Sequence, residues 1–152
     1  MILRTGIEKD IDDCVDIAKG LEEYFTEDAL EDMKKDLKNH DFFVVEEENE
    51  ISGFISLDIK NDDCADISWL AVKKDKRGSG FGKELILHCE GYLREKGIQI
   101  LEVKTLSEDA DYEPYARTRK FYEKMDFLHL ETIDLYPGWD EGNPCSIYVK
   151  PI

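Results

Sequence analysis

No apolar run in this sequence approaches the roughly 18–20 residues that a helix needs to cross a bilayer. The beginning of the chain, MILRTGIEKDIDDC, also lacks the uninterrupted apolar segment of a secretory signal peptide. Both absences predict a cytoplasmic protein that does not contact a membrane.

Cysteine is scarce and scattered. The chain has 4 cysteines and 3 histidines, and no two cysteines form a CxxC pair. This spacing argues against a disulfide framework and against a zinc site. We expect reduced thiols that pack as small hydrophobic side chains, at Cys14, Cys64, Cys89 and Cys145.

The chain has no excess of positive charge. Its 20 Lys and Arg residues face 36 Asp and Glu residues, which gives a formal net charge of -16. Because binding to nucleic-acid phosphates needs a basic surface, the composition predicts no nucleic-acid partner. An acidic surface is compatible with a cationic substrate, and equally with solubility alone.

The hydrophobic pattern predicts strands and helices along the whole chain. Strands are predicted at residues 2–5, 41–48, 50–59, 64–72, 98–106, 127–136 and 145–152. Helices are predicted at residues 8–25, 26–37, 80–96 and 114–125. The central strand–helix–strand unit predicts a right-handed crossover between two parallel strands. No linker or repeat interrupts the pattern, so we expect one α/β domain with a mixed sheet.

Positive charge is concentrated around three glycines in the segment KKDKRGSGFGKEL, residues 73–85. The glycines let the backbone adopt conformations that a Cβ atom forbids. They precede a predicted helix start, where several N–H groups lack partners and partial positive charge collects. Such a turn binds anions, and Arg77 and Lys83 add formal charge to it. The segment favours a polyphosphate ligand over the alternative of a flexible loop with solvated lysines.

Two common phosphate motifs do not fit this loop. A dinucleotide fingerprint GxGxxG that began at Gly78 would need glycine where Lys83 stands. A Walker loop needs four residues between its first glycine and its Gly-Lys pair, and this loop has one residue fewer. We therefore expect neither an NAD enzyme nor a P-loop NTPase.

The loop has the pattern R-x-x-G-x-G over Arg77-Gly78-Ser79-Gly80-Phe81-Gly82. This pattern resembles the pyrophosphate loop of the GNAT superfamily of N-acetyltransferases, which bind acetyl-coenzyme A. The strand ADISWLAV resembles the fourth strand of that family, and RKFYEKMDF resembles its late helix, which usually ends FYEK-x-GF. The resemblance covers the whole chain. It implies the α/β (α+β) fold of a GNAT acyl-CoA N-acyltransferase, a mixed, mostly antiparallel sheet flanked by helices, as a single domain over residues 1–152.

Three residues depart from the family pattern. Tyr115 stands where many members have asparagine, Thr118 stands for a common alanine, and Asp126 replaces the usual glycine. Asp126 is expected to tolerate the left-handed backbone conformation that glycine eases. The other two changes leave open which contacts this helix makes to the cofactor.

The resemblance implies that acetyl-CoA, the acetyl donor, binds where the strands at 65–73 and 98–106 separate. In the family, a bulge in the first of these strands frees backbone groups for the pantetheine arm, and that region maps here to residues 70–72. The N–H group of Leu70 is expected to polarise the thioester carbonyl, although ordinary core strand is the alternative. The implied cofactor-binding residues are Leu70, Ala71, Val72, Arg77, Gly78, Ser79, Gly80, Phe81, Gly82 and Lys83.

The resemblance also implies two catalytic residues. Tyr122 matches a tyrosine that often acts as the acid for the leaving thiolate; an aromatic core residue beside Phe121 is the alternative. Asp66 aligns with the glutamate that serves as base in the histone-acetyltransferase branch, and its shorter side chain would need a bridging water. A solvent-facing aspartate at a strand start is the alternative. Glu108, Glu113 or no dedicated base also remain open.

Acids are frequent in residues 22–50 and 107–114, and in the family these segments wall the acceptor site. Acidic walls would concentrate a cationic acceptor such as a polyamine, an aminoglycoside or a lysine side chain; a solvated acidic face is the alternative. Tyr24, Phe25 and Trp139 are candidates for aromatic surface at that site, with core packing as their more ordinary role.

The sequence thus predicts an N-acetyltransferase that moves an acetyl group from acetyl-CoA to a primary amine of a small cationic molecule or a protein. The reaction is expected to be direct attack in a ternary complex, without a metal. The alternative is a non-catalytic acyl-CoA-binding sensor or interaction module. Family members are often dimers through their last strands, so a homodimer is compatible with the resemblance but is not fixed by it.

Overall fold

The computed structural model describes residues 1–152. Its strands are β1 (Ile2–Thr5), β2 (Asp41–Glu47), β3 (Glu50–Ile59), β4 (Cys64–Val72), β5 (Ile100–Leu106), β6 (Leu128–Ile133) and β7 (Cys145–Pro151). Its α-helices are α1 (Ile11–Lys19), α2 (Glu27–Asn39), α3 (Phe81–Glu95) and α4 (Pro114–Lys124). Short 3-10 helices occur at Glu8–Asp10, Lys74–Lys76 and Glu108–Ala110. None of the helices combines the length and the apolar character that a membrane crossing requires.

All strands belong to one sheet in the order β1-β2-β3-β4-β5-β7-β6. The central pair β4 and β5 is parallel, and every other neighbouring pair is antiparallel. The hairpin of β2 and β3 turns at Glu48 and Asn49, whose φ angles of 54° and 66° suit a tight two-residue turn. Because parallel neighbours need a long crossover, α3 connects β4 to β5. The predicted mixed, mostly antiparallel sheet is confirmed.

Helices cover both faces of the sheet. One hydrophobic cluster joins α3 and α4 to the first face and includes Phe43 and Leu85. A second cluster joins α1 and α2 to the other face and includes Val15, Met33 and Val44. Phe43 and Val44 are consecutive in β2 yet belong to different clusters, because successive side chains of a strand point to opposite faces.

The helix limits follow the sequence with one exception. The hydroxyl of Thr26 caps α2 and accepts a hydrogen bond from the N–H of Ala29 at 3.2 Å. Asp126, just after α4, has a φ of 70°, the left-handed conformation that was expected of it. The exception is α1, which ends at Lys19 rather than near residue 25. Gly20, a poor helix former, follows it, and turns carry the chain onward.

A bulge interrupts the pairing of β4 with β3 at Ser68. Ser56 and Leu57 are consecutive in β3, but their partners in β4 are Trp69 and Ile67, so Ser68 is the extra residue. The bulge was expected in the three residues after Trp69. That placement is wrong, because those residues pair regularly with β3. The extra residue also changes which face of the sheet the following side chains occupy. Ile67 packs on the α3 side, whereas Trp69, two residues later, packs on the α1 side.

The parallel strands β4 and β5 are paired only over their first halves. Their register runs from Cys64 opposite Ile100 to Ile67 opposite Val103 and stops there. Beyond this point the two strands separate, while α3 packs against β4 and α4 against β5. The gap lies at the centre of the sheet, where the family resemblance implies that the two strands separate. It positions the candidate site.

Candidate active site

The glycine loop leaves a bare backbone at the start of α3. Gly78 and Gly80 have φ angles of 79° and 88°, which a residue with a Cβ atom adopts at a cost. A Cβ atom on either glycine would meet no atom within 4 Å, so open space lies in front of the backbone here. The third glycine has a different role. A Cβ atom on Gly82 would approach the ring of Phe121 to 3.1 Å, so Gly82 allows α3 and α4 to pack closely.

Several N–H groups at this helix start are free. The N–H of Glu84 donates to the carbonyl oxygen of Gly80 at 3.0 Å, which is the first backbone hydrogen bond of the helix. The N–H groups of Phe81, Gly82 and Lys83 precede that bond and have no carbonyl partner. With the positive end of the helix dipole behind them, they form a site for an anion.

Some of the loop cations already have acidic partners. Arg77 Nη2 lies 3.2 Å from Glu23 Oε1, and the guanidinium lies 5.4 Å from the ring centre of Tyr24. Two other pairs are Lys73 with Glu50 at 3.3 Å and Lys76 with Glu47 at 2.6 Å. Lys83 is exposed on the groove and forms no ion pair. The hydroxyl of Ser79 donates to the carbonyl of Lys76, so it shapes the loop instead of facing the groove.

A single groove of about 1420 Å³ runs past the predicted site residues. It begins at the glycine loop, follows the gap between β4 and β5, and continues to α2 and to the segment 138–143. Of the residues predicted to bind the cofactor or to act in catalysis, all except Ser79 line it. Glu108 and Glu113, the alternative bases, do not line it.

The edge of β4 that faces the gap carries unpaired backbone groups. The N–H of Lys73 donates to Ser52 in β3 at 2.8 Å, so every second residue before it, including Ala71, also turns its N–H toward β3. The N–H groups of Leu70 and Val72 therefore point toward β5, which is no longer paired there. This open edge has the donors that were predicted for Leu70, although the bulge lies earlier in the strand.

Asp66 is a buried carboxylate at the mouth of the gap. It is 7% exposed, and its Oδ1 lies 3.1 Å from the ammonium of Lys104, without the geometry of a hydrogen bond. Burial raises the pKa of Asp66 to about 6, and the charge of Lys104 opposes that rise. The solvent-facing alternative for this residue is wrong, because the side chain is buried and lines the groove.

Tyr122 approaches the same gap from the other face of the sheet. It is 4% exposed and belongs to the same hydrophobic cluster as Ala65 and Ile67, the two neighbours of Asp66 whose side chains point away from that carboxylate. Burial, and next the charge of Asp66, raises the pKa of the phenol, so Tyr122 stays protonated at neutral pH. The edge-on ring contact with Phe121 gives it a packing role as well.

The hydroxyl of Thr105 has no partner. Thr105 is 4% exposed, lies on the part of β5 that has left β4, and lines the groove. A buried hydroxyl without a hydrogen bond is rare in folded proteins and is usual at a place that a ligand or water completes. Sequence reasoning missed Thr105, since only the alternation of β5 hints that it points inward.

Three tyrosines tie the segment after α1 to the start of α4. Tyr24 donates to the carbonyl of Pro114 at 2.9 Å, and Tyr115 donates to the carbonyl of Tyr24 at 2.8 Å. Tyr112 donates to the carbonyl of Glu23. The hydroxyl of Tyr115, one of the departures from the family pattern, is thus engaged with this segment.

A histidine and two serines lie beside the bulge. Ser68 Oγ lies 3.0 Å from His40 Nδ1 and 2.7 Å from Ser56 Oγ. The other ring nitrogen of His40 lies 4.0 Å from Asp36 and 3.9 Å from Asp58. These contacts join α2, β3 and β4, so no local sequence pattern could have shown them. His40, Ser68 and the two aspartates line the groove and give it a polar wall here.

The fold is shared with solved acetyltransferase structures. A protein of Desulfovibrio desulfuricans assigned to the GNAT family has a TM-score of 0.87 at 19% identity, over 99% of this chain and 98% of that chain. The ribosomal-protein-S18-alanine N-acetyltransferase from Escherichia coli has 0.80 at 17%, over 99% and 93%. An aminoglycoside 6'-N-acetyltransferase complexed with coenzyme A has 0.75 at 18%, over 99% and 97%. At these identities the likeness shows the fold alone.

Family membership rests on the sequence. A search of curated proteins gives no match. The model of the Acetyltransferase (GNAT) family matches residues 11–127, which include the glycine loop, both strands of the gap and all of α4. The match covers well over half of the chain, and it contains every residue predicted to bind the cofactor or to act in catalysis. The protein therefore belongs to the acetyltransferase (GNAT) family.

Proposed function

We propose that the protein is an N-acetyltransferase that uses acetyl-CoA as its donor. It transfers the acetyl group to a primary amine of a small cationic molecule or of a protein, by direct attack in a ternary complex. One observation carries the proposal, the continuity of the groove. At one end of the groove lies the start of α3, whose free N–H groups can bind an anion, and Asp66 and Tyr122 line the groove at the gap between β4 and β5. Acetyl-CoA likewise has its phosphates and its thioester far apart.

The glycine loop fits the phosphates of this donor. The free N–H groups of Phe81, Gly82 and Lys83 point outward from the helix start, and Gly78 and Gly80 leave open space before them. The N–H groups of the open β4 edge would bind the extended arm as a further strand would. The coenzyme A complex of the aminoglycoside acetyltransferase with the same fold supports this choice of donor.

Proton transfer is divided between the two faces of the sheet. The bound donor would supply an electrophilic thioester carbon. An alkylammonium acceptor with a pKa near ~10.4 must first lose a proton, and Asp66, with its pKa of about 6, is ionised at neutral pH and accepts it. The N–H of Leu70, which points toward the gap, would hold the carbonyl oxygen as charge develops on it.

Tyr122 completes the transfer on the opposite face. As the N–C bond forms and the C–S bond breaks, the phenol gives its proton to the leaving sulfur. The nitrogen loses its second proton in the same step, and this proton restores the phenol. Asp66 then releases the first proton to solvent. The products are the amide, the free thiol and one proton, so the charges balance.

The acceptor class follows from the charge of the groove walls. Away from the glycine loop and α4, the walls carry mainly acids; the basic residues there are Lys35, Lys104 and His40. The acids include Asp32, Asp36, Asp58, Asp66 and Asp140. Such walls attract a cationic acceptor. Phe25, Trp69 and Trp139 line the same part and offer ring faces to a cation.

A screen of amines with detection of the released thiol tests the proposal. We expect acetyl-CoA-dependent turnover with at least one polyamine, aminoglycoside or lysine peptide. Tyr122→Phe should lower kcat at least about tenfold and leave the affinity for acetyl-CoA nearly unchanged, because only the acid is removed. Equal turnover of Tyr122→Phe and wild type would contradict the acid role. Tight binding of acetyl-CoA without turnover of any amine would favour the non-catalytic binding module.

A further inference from the structure

Lys104 lies between two carboxylates at the gap. Its ammonium is 3.1 Å from Asp66 Oδ1 and 3.1 Å from Glu102 Oε1. Its side chain is 17% exposed, and it lies 6.0 Å from the ring centre of Tyr136. A lysine held this far from solvent by two acids is well fixed in position. No motif of the family pattern described above includes it.

The register of the strands brings several carboxylates together beside Lys104. Asp58 of β3 lies opposite Asp66 of β4, and Asp66 lies opposite Glu102 of β5. Side chains opposite one another on neighbouring strands share a face, so three carboxylates stand in a row across the sheet. Lys60 pairs with Asp58 at 3.0 Å, which leaves Lys104 as the cation for the other two.

Other titratable groups also face this row. Those that act on Asp66 or respond to its charge are Lys104, Glu102, Lys60, Asp58, Cys64, Cys145 and Tyr122. Tyr136 contacts Lys104, and His40 lies 3.9 Å from Asp58 at the outer end of the row. The cations that act on Asp66 itself are the two lysines. Lys104 lowers the pKa of Asp66 more than Lys60 does, because Lys104 contacts the carboxylate directly.

We propose that Lys104 is a positioning residue that keeps Asp66 as an ionised carboxylate facing the groove, with Glu102 fixing the ammonium in place. The proposal rests on the function proposed above, in which Asp66 is the base. Lys104 itself does not accept the proton of the amine, because its own pKa is raised: the charges of Asp66 and Glu102 outweigh its burial and keep it protonated.

Removal of the Lys104 ammonium should make Asp66 a less effective base at neutral pH. Burial and the like charge of Glu102 both raise the pKa of Asp66, and Lys104 opposes them. Without Lys104 the pKa of Asp66 should rise by about one to three pH units. At pH 7 the carboxyl of Asp66 would then be about half to almost fully protonated, and its capacity to take a proton would fall accordingly.

The test compares Lys104→Met, Lys104→Arg and the control Lys60→Met with wild type. A carbon-13 NMR titration of the Asp66 carboxyl, assigned with Asp66→Asn, measures its pKa in the ligand-free protein. We expect a midpoint near 6 in wild type, a clear upward shift in Lys104→Met, and near-normal values in Lys104→Arg and Lys60→Met. An unchanged midpoint in Lys104→Met would overturn the proposal.

Kinetics supply the second readout. For Lys104→Met we expect kcat/KM at pH 7 to fall by about twofold to a hundredfold, in proportion to the lost ionised fraction of Asp66, to recover at higher pH, and to return in Lys104→Arg. The KM for acetyl-CoA should not change. An equal loss at every pH would assign Lys104 a merely structural role and overturn the proposal. The NMR shift does not depend on turnover, so a wild type that acetylates no amine would refute the proposed function without affecting that readout.

Discussion

The glycine loop lies exposed at one end of the groove, and Asp66 lies buried at the gap in the sheet. The loop obtains its binding capacity from backbone that is local in sequence: two glycines with positive φ and the unpaired start of α3. Asp66 obtains its raised pKa from burial by elements that are distant in sequence, since β3, β5 and α4 surround it. The geometry of the loop is thus specified locally, whereas the environment of Asp66 is specified by the fold.

Electrostatics differ in the same way. The ion pairs of the loop are partly solvated, so each of them contributes little and is screened by salt. Asp66 and Lys104 are largely shielded, so their mutual effect is stronger. Changes at the loop should therefore alter affinity by moderate factors. Changes at the Asp66 end should alter turnover, pH dependence and stability by large ones.

The largest expected effect is on turnover. Asp66→Asn removes the proton acceptor but keeps the shape of the side chain. We expect kcat/KM to fall by about 10²-fold or more, the usual range for a lost general base, while acetyl-CoA affinity stays within about twofold. Steady-state kinetics and calorimetry measure the two quantities. Normal turnover in Asp66→Asn would mean that the protein acts without a dedicated base.

The same substitution should stabilise the fold above pH 6. The pKa of Asp66 is about 6 in the folded protein and about 3.9 unfolded, so the folded state binds more protons between these values. The contribution of Asp66 to the free energy of unfolding therefore falls as pH rises from about 4 to about 6. Asp66→Asn should be more stable than wild type at pH 7.5 by up to about 3 kcal/mol, and by much less near pH 4.

Urea denaturation at several pH values measures this difference. The control is Asp62→Asn in the exposed turn before β4, which should change the free energy of unfolding little at any pH. If the difference in the free energy of unfolding between Asp66→Asn and wild type is constant across this pH range, burial does not raise the pKa of Asp66.

At the loop, Gly80→Ala should weaken donor binding about tenfold. The substitution meets no neighbouring atom, so its effect comes from the φ of 88°, which costs about 1–2 kcal/mol with a Cβ atom. The dissociation constant of acetyl-CoA should rise, and kcat at saturation should change little. The matched control is Gly91→Ala, also free of contacts but within α3, where alanine should stabilise the helix. Unchanged affinity in Gly80→Ala would separate the loop from the donor site.

The smallest expected effect concerns Glu23. Because its carboxylate pairs with Arg77 in an exposed ion pair, Glu23→Gln should free the guanidinium for phosphate. We expect acetyl-CoA to bind about two- to fivefold more tightly, in line with the modest free energy of such pairs. Glu31→Gln on the outer side of α2 is the control for loss of one negative charge. Weaker binding in Glu23→Gln would show that Glu23 orients Arg77 for the ligand instead of competing with it.

Much of the fold could be predicted from the sequence, because its elements have local signals. The hairpin turn, the Thr26 cap and the glycine loop are each specified within a few residues. The bulge was placed wrongly, because Ser68 is neither a glycine nor preceded by a turn signal. Its hydroxyl instead meets Ser56 on another strand.

The candidate site could be predicted only in part. The groove brings together Asp66, Tyr122 and the loop, and their roles stay predictions. Lys104 and Thr105 were missed, because alternation in β5 shows which side chains share a face but not what lies opposite. The tyrosine contacts were missed because they join residues about 90 positions apart.

The central claim is that the groove binds acetyl-CoA through the glycine loop. A calorimetric titration of the purified protein with acetyl-CoA, with NADH and ATP as controls, tests it most directly. The account predicts binding in the micromolar range that is selective for acetyl-CoA and weakened in Gly80→Ala. Absence of binding, or equal binding of all three ligands, would contradict the claim, and the proposed enzyme function would fall with it.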